Sequence, residues 1–306
     1  MADPCWISHG RLWDCGSAEE LTFTPGTLKQ NLTINRKGCV DYCAALAIFL
    51  LCPVGKQLRY AERVSIFLVG GGVPDTPVYE PILDAFVQDV LQNKSREGEP
   101  ILALALVDHA GSGQHYLPAY ATPIKARMPC QLRPIYLRPD TPADPVSFEN
   151  VDGIIVCGGP TPEYLAGLRT CADTIRGAVN RGIPYLGFSA GAMIAPKNAL
   201  IGGYFSGGIE ICPEESSENL KEITLADGLG LTTFTVEVHA AQAGTLGRAI
   251  ATVERNLTEM AIAIDEDTAV VLELENPENL KVLGAGHIWV VTRTAESINV
   301  ELRTGS

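Results

Sequence analysis

Basic residues are scarce in this sequence: 23 Lys and Arg stand against 36 Asp and Glu, a formal net charge of −13 over 306 residues. Binding to a phosphate backbone requires a basic surface, so this balance excludes a nucleic-acid partner and disfavours adhesion to anionic lipid. Charged residues make up only 19% of the chain and apolar ones 46%, which excludes a disordered composition and is ample for a sizeable core. Long apolar runs are missing as well. The most apolar stretch, Cys39 to Gly55 (CVDYCAALAIFLLCPVG), falls short of the ~20 residues needed to span a bilayer, and reads as a buried helix ended by Pro53. The opening residues MADPCWISHG lack the basic stretch and apolar run of a secretory signal. The expectation is a cytoplasmic protein with no membrane partner.

Paired short cysteine spacings beside histidine are also absent. The nine cysteines are scattered and odd in number; only Cys39-x3-Cys43 comes close to a ligand spacing, so no metal site and no disulfide framework is expected. Gly70-Gly71-Gly72 does not extend into G-x-G-x-x-G with a ribose-binding acid, which excludes a dinucleotide cofactor. There is no internal repeat.

What is present is a regular alternation. Residues 1–60 read as an N-terminal extension packing on a main domain over 61–306. From Val64 onward, short apolar runs alternate with helical periods: VSIFLVGGG, a helix over Tyr79–Gln92, ILALALVD, QLRPIYL, GIIVCGG, a helix over Glu163–Asn180, and IPYLGFSAGA. Ile82, Leu83, Phe86, Val87 and Val90 fall on one face of the first helix. Continuous apolar strands separated by helices predict an α/β domain, a mainly parallel sheet covered on both faces. The end of the chain, AIAIDEDTAVVLELE, a polar connection, HIWVVTR and SINVELR, predicts antiparallel strands at a sheet edge.

The chemistry is concentrated in Gly187-Phe188-Ser189-Ala190-Gly191, a G-x-S-x-G between an apolar strand and a run of small residues. In that context a sharp turn lifts the serine above the sheet at a helix start, where amide hydrogens can hold an oxyanion. A side chain at either glycine would collide with the neighbouring strand or helix. Gly158-Gly159 at the end of GIIVC places backbone N–H groups at the ligand-binding edge of the sheet, so Gly159 and Ala190 are the expected oxyanion donors. A serine hydroxyl needs a base, and of the five histidines His239, ending TFTVEV before a helix near Gly244, is the best placed. His109 and His115 sit in a polar loop, while His9 and His287 read as structural. Glu210 is the expected acid orienting His239, with Glu214, Glu215 and Glu237 open. Gly158, Pro160, Thr161 and Gln242 are the expected substrate-binding residues.

Four segments in register resemble the aspartyl dipeptidase and cyanophycinase family of serine peptidases: CGGPT (157–161), GFSAGA (187–192), DGLGLTTFTVEVH (227–239) followed by LGRAIATVERN, and AIAIDEDTAV (261–270). The resemblance covers about Val64 to Val270. It implies a fold like class I glutamine amidotransferases with serine replacing their cysteine, a Ser-His-Glu or Ser-His-Asp triad, and no metal or cofactor. Family members are often dimeric, so it also implies a homodimer.

It implies hydrolysis of a peptide or isopeptide bond in a small aspartate-containing peptide through an acyl-enzyme on Ser189. Cyanophycinases carry two arginines within about six residues of the histidine, able to grip a carboxylate; here none follows His239 before Arg248, which points away from cyanophycin. The alternatives are a cyanophycinase, a non-catalytic binding member of the family, and a small-molecule amidase or esterase.

Overall fold

The computed structural model describes residues 65–273 and 276–305, together with two short strands near the N-terminus. The chain divides into two compact units, Met1–Leu58 and Arg59–Ser306. In the first, β1 (Arg11–Trp13) and β2 (Glu20–Thr22) pair antiparallel. The apolar segment Cys39–Gly55 and the expected packing of residues 1–60 on the main domain lie outside the described residues. No helix among the described residues is long and apolar enough to cross a membrane.

The second unit alternates strands and helices. In order they are β3 (Ser65–Val69), α1 (Glu80–Asn93), β4 (Ile101–Val107), α2 (Ser112–Arg127), β5 (Gln131–Leu137), β6 (Gly153–Val156), α3 (Thr161–Leu168), α4 (Ala172–Asn180), β7 (Tyr185–Phe188) and α5 (Ala190–Met193). Strands β3, β7, β6, β4 and β5 are parallel neighbours in that order. Beyond β3 the sheet continues antiparallel through β14 (Thr268–Glu273) and β15 (Asn276–Gly284). Every residue of β3, β6, β7 and β14 is buried, as the unbroken apolar runs require of strands covered on both faces.

Helix α1 begins with Glu80 and Pro81, favourable for a first turn. It buries Ile82, Leu83, Phe86, Val87 and Val90, the face expected from periodicity. Full burial of each such side chain is worth about 1.5–3 kcal/mol; Phe86 packs edge-on against Phe67 of β3.

Downstream of the elbow come β8 (Asn198–Gly202), β9 (Phe205–Ser206), β10 (Ile209–Glu210), β11 (Thr224–Asp227), β12 (Thr235–Val238), α6 (Leu246–Glu254), β13 (Met260–Ile264), β16 (His287–Arg293) and β17 (Ile298–Thr304). Strands β12, β13, β16 and β17 form a separate four-stranded sheet, its first pair parallel and the others antiparallel. Helix α6 and this sheet share a small core of Ala240, Ala249, Val253, Ala261, Ala263 and Val291. The fold is thus α/β with a mostly parallel central sheet and antiparallel strands toward the C-terminus.

Three local expectations change. The helix expected over Glu163–Asn180 is two helices, α3 and α4, separated by a 3-10 turn at Arg169–Cys171. The polar connection after residue 273 is strand β15. The polar loop holding His109 and His115 is cut short by α2, which starts at Ser112 after the left-handed Gly111. Pro118 and Pro123 lie inside α2, and two prolines within one helical run hide it from a pattern reading.

The turn from β7 into α5 depends on backbone lying directly on backbone. A Cβ on Gly191 would stand 2.3 Å from the carbonyl oxygen of Val156 in β6, and one on Gly187 2.6 Å from the backbone of Gly191. Gly191→Ala is therefore expected to destabilise the fold by at least ~1–3 kcal/mol. In contrast Gly177→Ala within α4, where the added methyl meets only the movable guanidinium of Arg181, should be neutral or stabilising by under ~1 kcal/mol. Urea unfolding midpoints of the two variants against wild type check this contrast.

Candidate active site

Ser189 follows the last residue of β7 and has φ 47° and ψ −107°, a strained conformation for any residue with a side chain. Backbone hydrogen bonds hold it there: its N–H donates to Val69 O at 2.9 Å, and its carbonyl accepts from Ala192 and Met193 N–H, each at 2.9 Å. The hydroxyl is thereby lifted clear of the sheet at the start of α5.

His239 follows β12 directly and is also left-handed, with φ 55°. Its N–H donates to Gly70 O at 2.9 Å, tying the second sheet's strand end to the end of β3. The imidazole Nε2 lies 2.8 Å from Ser189 Oγ. On the other side Nδ1 lies 2.7 Å from Glu266 Oε1, with the two side chains 29% and 35% exposed. A carboxylate accepts only, so Nδ1 carries the proton and Nε2 is left as the acceptor facing the serine hydroxyl.

Glu266 sits in the turn between β13 and β14. Buried Asp265 anchors one side, accepting from Ala241 N–H at 3.1 Å, Trp289 Nε1–H at 3.2 Å and His287 N–H at 3.1 Å. Asp267 anchors the other, donating its N–H to Gly71 O at 3.0 Å. The middle acid is left to face the imidazole. Gln242 Oε1 accepts the Glu266 N–H at 2.9 Å. Gln242 therefore supports the acid's backbone and is not among the residues lining the cleft, contrary to its expected place at the substrate.

The acid beside His239 is thus Glu266, and the expectation of Glu210 is corrected. Glu210 lies exposed in the two-residue strand β10, paired with β9, and its side chain does not meet the imidazole. Glu237 is fully buried under the site, and Glu214 and Glu215 line the cleft wall. His109 pairs instead with Glu163 at 2.8 Å. The DED turn was visible in the sequence as a polar island between two apolar strands, but which of its three acids points at the histidine depends on the backbone path of the turn.

Gly158 lies beside the serine, and both of its hydrogen-bonding groups are fixed. Its N–H donates to Tyr120 Oη at 3.1 Å, and its carbonyl accepts from Tyr164 Oη–H at 2.9 Å. In a trans peptide C=O and N–H point opposite ways, so Tyr164 holds the 158–159 peptide with the Gly159 N–H directed away from it. The Gly159 and Ala190 amides make no hydrogen bond among the described residues. Burial, with Cys157 adjacent, pushes the Tyr120 and Tyr164 phenols upward, so both stay protonated.

A cleft of about 1050 Å³ opens over Ser189 and His239, walled by Gly158–Thr161 on one side and by residues 214–221 on the other. Beneath that second wall lies a buried ion pair. Arg248 Nε and Nη2 donate to the two carboxylate oxygens of Glu237 at 2.6 and 2.9 Å, and the side chains are 3% and 0% exposed. Nη1 of Arg248 also donates to the carbonyls of Gly203 and Ser216 at 3.0 and 2.5 Å. One guanidinium thus joins β12, the end of β8 and the cleft wall.

The sequence model of peptidase family S51 matches residues 66–279, more than two thirds of the chain. Among solved structures, a peptidase from an acI-B1 Actinobacterium superposes with a TM-score of 0.58 at 15% identity, covering 80% of this chain and 95% of that one. A putative peptidase E protein from Listeria monocytogenes EGD-e gives 0.46 at 16% identity, covering 74% and 100%. No curated protein sequence matches the chain.

Because Glu237 is wholly buried, Arg248→Met leaves a carboxylate without its counter-charge and should cost ~3–5 kcal/mol. Replacing both partners, Glu237→Leu with Arg248→Met, should recover much of that loss. Chemical denaturation of the two variants tests the pair.

Proposed function

Because this chain belongs to peptidase family S51, a family of serine peptidases, we propose that it hydrolyses a peptide bond through an acyl-enzyme on Ser189. His239 is the general base and Glu266 the group that orients it. The observation carrying this reading is the relay of two short contacts, Ser189 Oγ to His239 Nε2 at 2.8 Å and His239 Nδ1 to Glu266 Oε1 at 2.7 Å.

As Oγ attacks the scissile carbonyl carbon, Nε2 takes its proton and the carbonyl electrons move onto oxygen. The Gly159 and Ala190 N–H groups, which make no hydrogen bond among the described residues, are the donors this reading assigns to that oxyanion, each worth about 3–4 kcal/mol of barrier. Glu266 stabilises the imidazolium without itself taking the proton. Nε2–H then protonates the departing amine nitrogen as the C–N bond breaks. Water enters, gives a proton to Nε2 as its oxygen bonds the acyl carbon, and the C–Oγ bond breaks with the proton returned to Ser189. The size of the cleft suits a short peptide.

Hydrolysis of fluorogenic dipeptides tests the roles. Ser189→Ala should reduce turnover to background and abolish labelling by a fluorophosphonate probe. Glu266→Gln should lower kcat by about 10²–10⁴-fold, whereas Glu210→Gln should stay within about twofold of wild type. Tyr164→Phe, which frees the 158–159 peptide, should lower kcat several-fold with little change in KM. A wild-type protein that neither hydrolyses a peptide nor labels at Ser189 would be a binding member of the family, and the proposal would fail.

A further inference from the structure

Thr161 stands two residues beyond Gly159 and opens α3, where free backbone donors and the positive end of the helix favour an anion. Its two donors are already taken by the protein's own carboxylate. Glu218 Oε1 accepts the Thr161 N–H at 3.0 Å and the Thr161 Oγ1–H at 2.9 Å. The expected substrate-binding role of Thr161 is therefore occupied from within the chain, by a half-buried acid whose other oxygen makes no hydrogen bond among the described residues.

The remainder of the lining carries the same sign. The wall that supplies Glu218 also supplies Glu214 and Glu215, and Tyr204 behind it has its phenol raised by burial and then by the charge of Glu214. Among the described residues of the cleft only Lys221 and Arg248 are cationic. Arg248 gives Nε and Nη2 to buried Glu237 and, lying under the wall, also feels the charge of Glu218, and the Lys221 ammonium lies 5.4 Å from the centre of the Phe205 ring. A substrate carboxylate arriving beside the oxyanion donors would meet Glu218 instead of a cation. An ammonium or guanidinium would meet acids with open acceptor positions.

We propose that this cleft selects peptides bearing a cationic side chain next to the scissile amide and rejects those bearing an acidic side chain there, with Glu218 as the specificity-determining residue. The inference rests on the catalytic reading of Ser189 above, and it replaces the aspartate-containing peptide expected from the family resemblance. Attraction to the cation and like-charge rejection of the acid act together, which is how selectivity is commonly built. Glu214 and Glu215 are exposed, so their share is screened by salt; that of half-buried Glu218 is screened less.

The test is kcat/KM for matched Ala-X and X-Ala peptides, X being Lys, Arg, Ala, Asp or Glu, at low and high salt. Lys or Arg in one of the two positions should exceed Asp by at least about tenfold at low salt, with the ratio falling as salt rises. Glu218→Gln keeps an acceptor for Thr161 but removes the charge, and should cut the ratio several-fold, mainly through KM. The double variant Glu214→Gln, Glu215→Gln, both at exposed positions, should cut the salt-sensitive part. Peptides with Asp or Glu cleaved as well as those with Lys or Arg would overturn the proposal, as would a ratio unmoved in Glu218→Gln. Hydrolysis of Ala-Ala and fluorophosphonate labelling report separately on the catalytic reading. Should both fail, calorimetric Kd values of the same peptides on Ser189→Ala protein still decide the charge preference.

Discussion

A Cβ on Gly71 would stand 2.0 Å from Cε1 of His239, so the imidazole can reach Ser189 only because the chain leaving β3 has no side chains there. The neighbouring glycines serve the same crossing. A Cβ on Gly70 would fall 2.2 Å from the carbonyl oxygen of Asp265, and one on Gly72 2.3 Å from the Asp267 carboxylate. The crossing is also tied by hydrogen bonds. Gly70 receives the His239 N–H, and Gly71 receives the Asp267 N–H and the Tyr79 hydroxyl. Tyr79 remains a donor because burial, reinforced by Asp267, pushes its phenol upward. The triple glycine, which failed as a nucleotide loop on pattern, is the surface against which His239, Asp265 and Asp267 pack. Because the serine N–H donates to Val69 just before it, one strand end holds the backbones of Ser189, His239 and Asp267, the neighbour of Glu266.

This arrangement explains why strain gathers at the site. Ser189, His239 and Asp267 all have left-handed backbones, each costing of order 1–3 kcal/mol, and all three lie where strand ends from the two sheets meet. The strain persists because each residue is held by backbone hydrogen bonds whose partners are themselves fixed in strands. Rigidity of this kind is what a preformed relay needs, since catalytic groups must be held to within a fraction of an ångström.

The serine elbow was legible because everything that makes it lies within five residues: an apolar strand, two glycines that permit backbone contact, and a small-residue helix start. The parallel sheet was legible from its uninterrupted apolar runs. Glu266 was not, although it lay in a segment already singled out. Three successive acids offer no periodicity to choose between them, and the choice is made by what Asp265 and Asp267 anchor on either side. Helix α2 was hidden by its two prolines and by glycines at its start. Strand β15 was hidden because it opens on Asn276-Pro277-Glu278-Asn279, turn-forming residues that read as a connection, and its apolar alternation begins only at Leu280. In each case the deciding information is a contact distant in sequence.

Two kinds of position can be separated on this frame. Ser189 and His239 stand where strand ends of the two sheets meet and are tied by backbone hydrogen bonds, so their place is fixed by the fold. The wall at residues 214–221 is different: it leaves the central sheet alone and touches the frame through Arg248, through Ser216 and through Glu218 on Thr161. Its exposed side chains can change without moving the serine or the histidine. A different set of side chains on that wall would change what the cleft meets without changing the contacts among Ser189, His239 and Glu266, so membership of the family speaks to the reaction more than to the peptide. The carboxylate lodged on Thr161 is a case in point: an internal acid takes the anion-favouring helix start two residues beyond Gly159, and with Glu214 and Glu215 it gives that wall its negative sign.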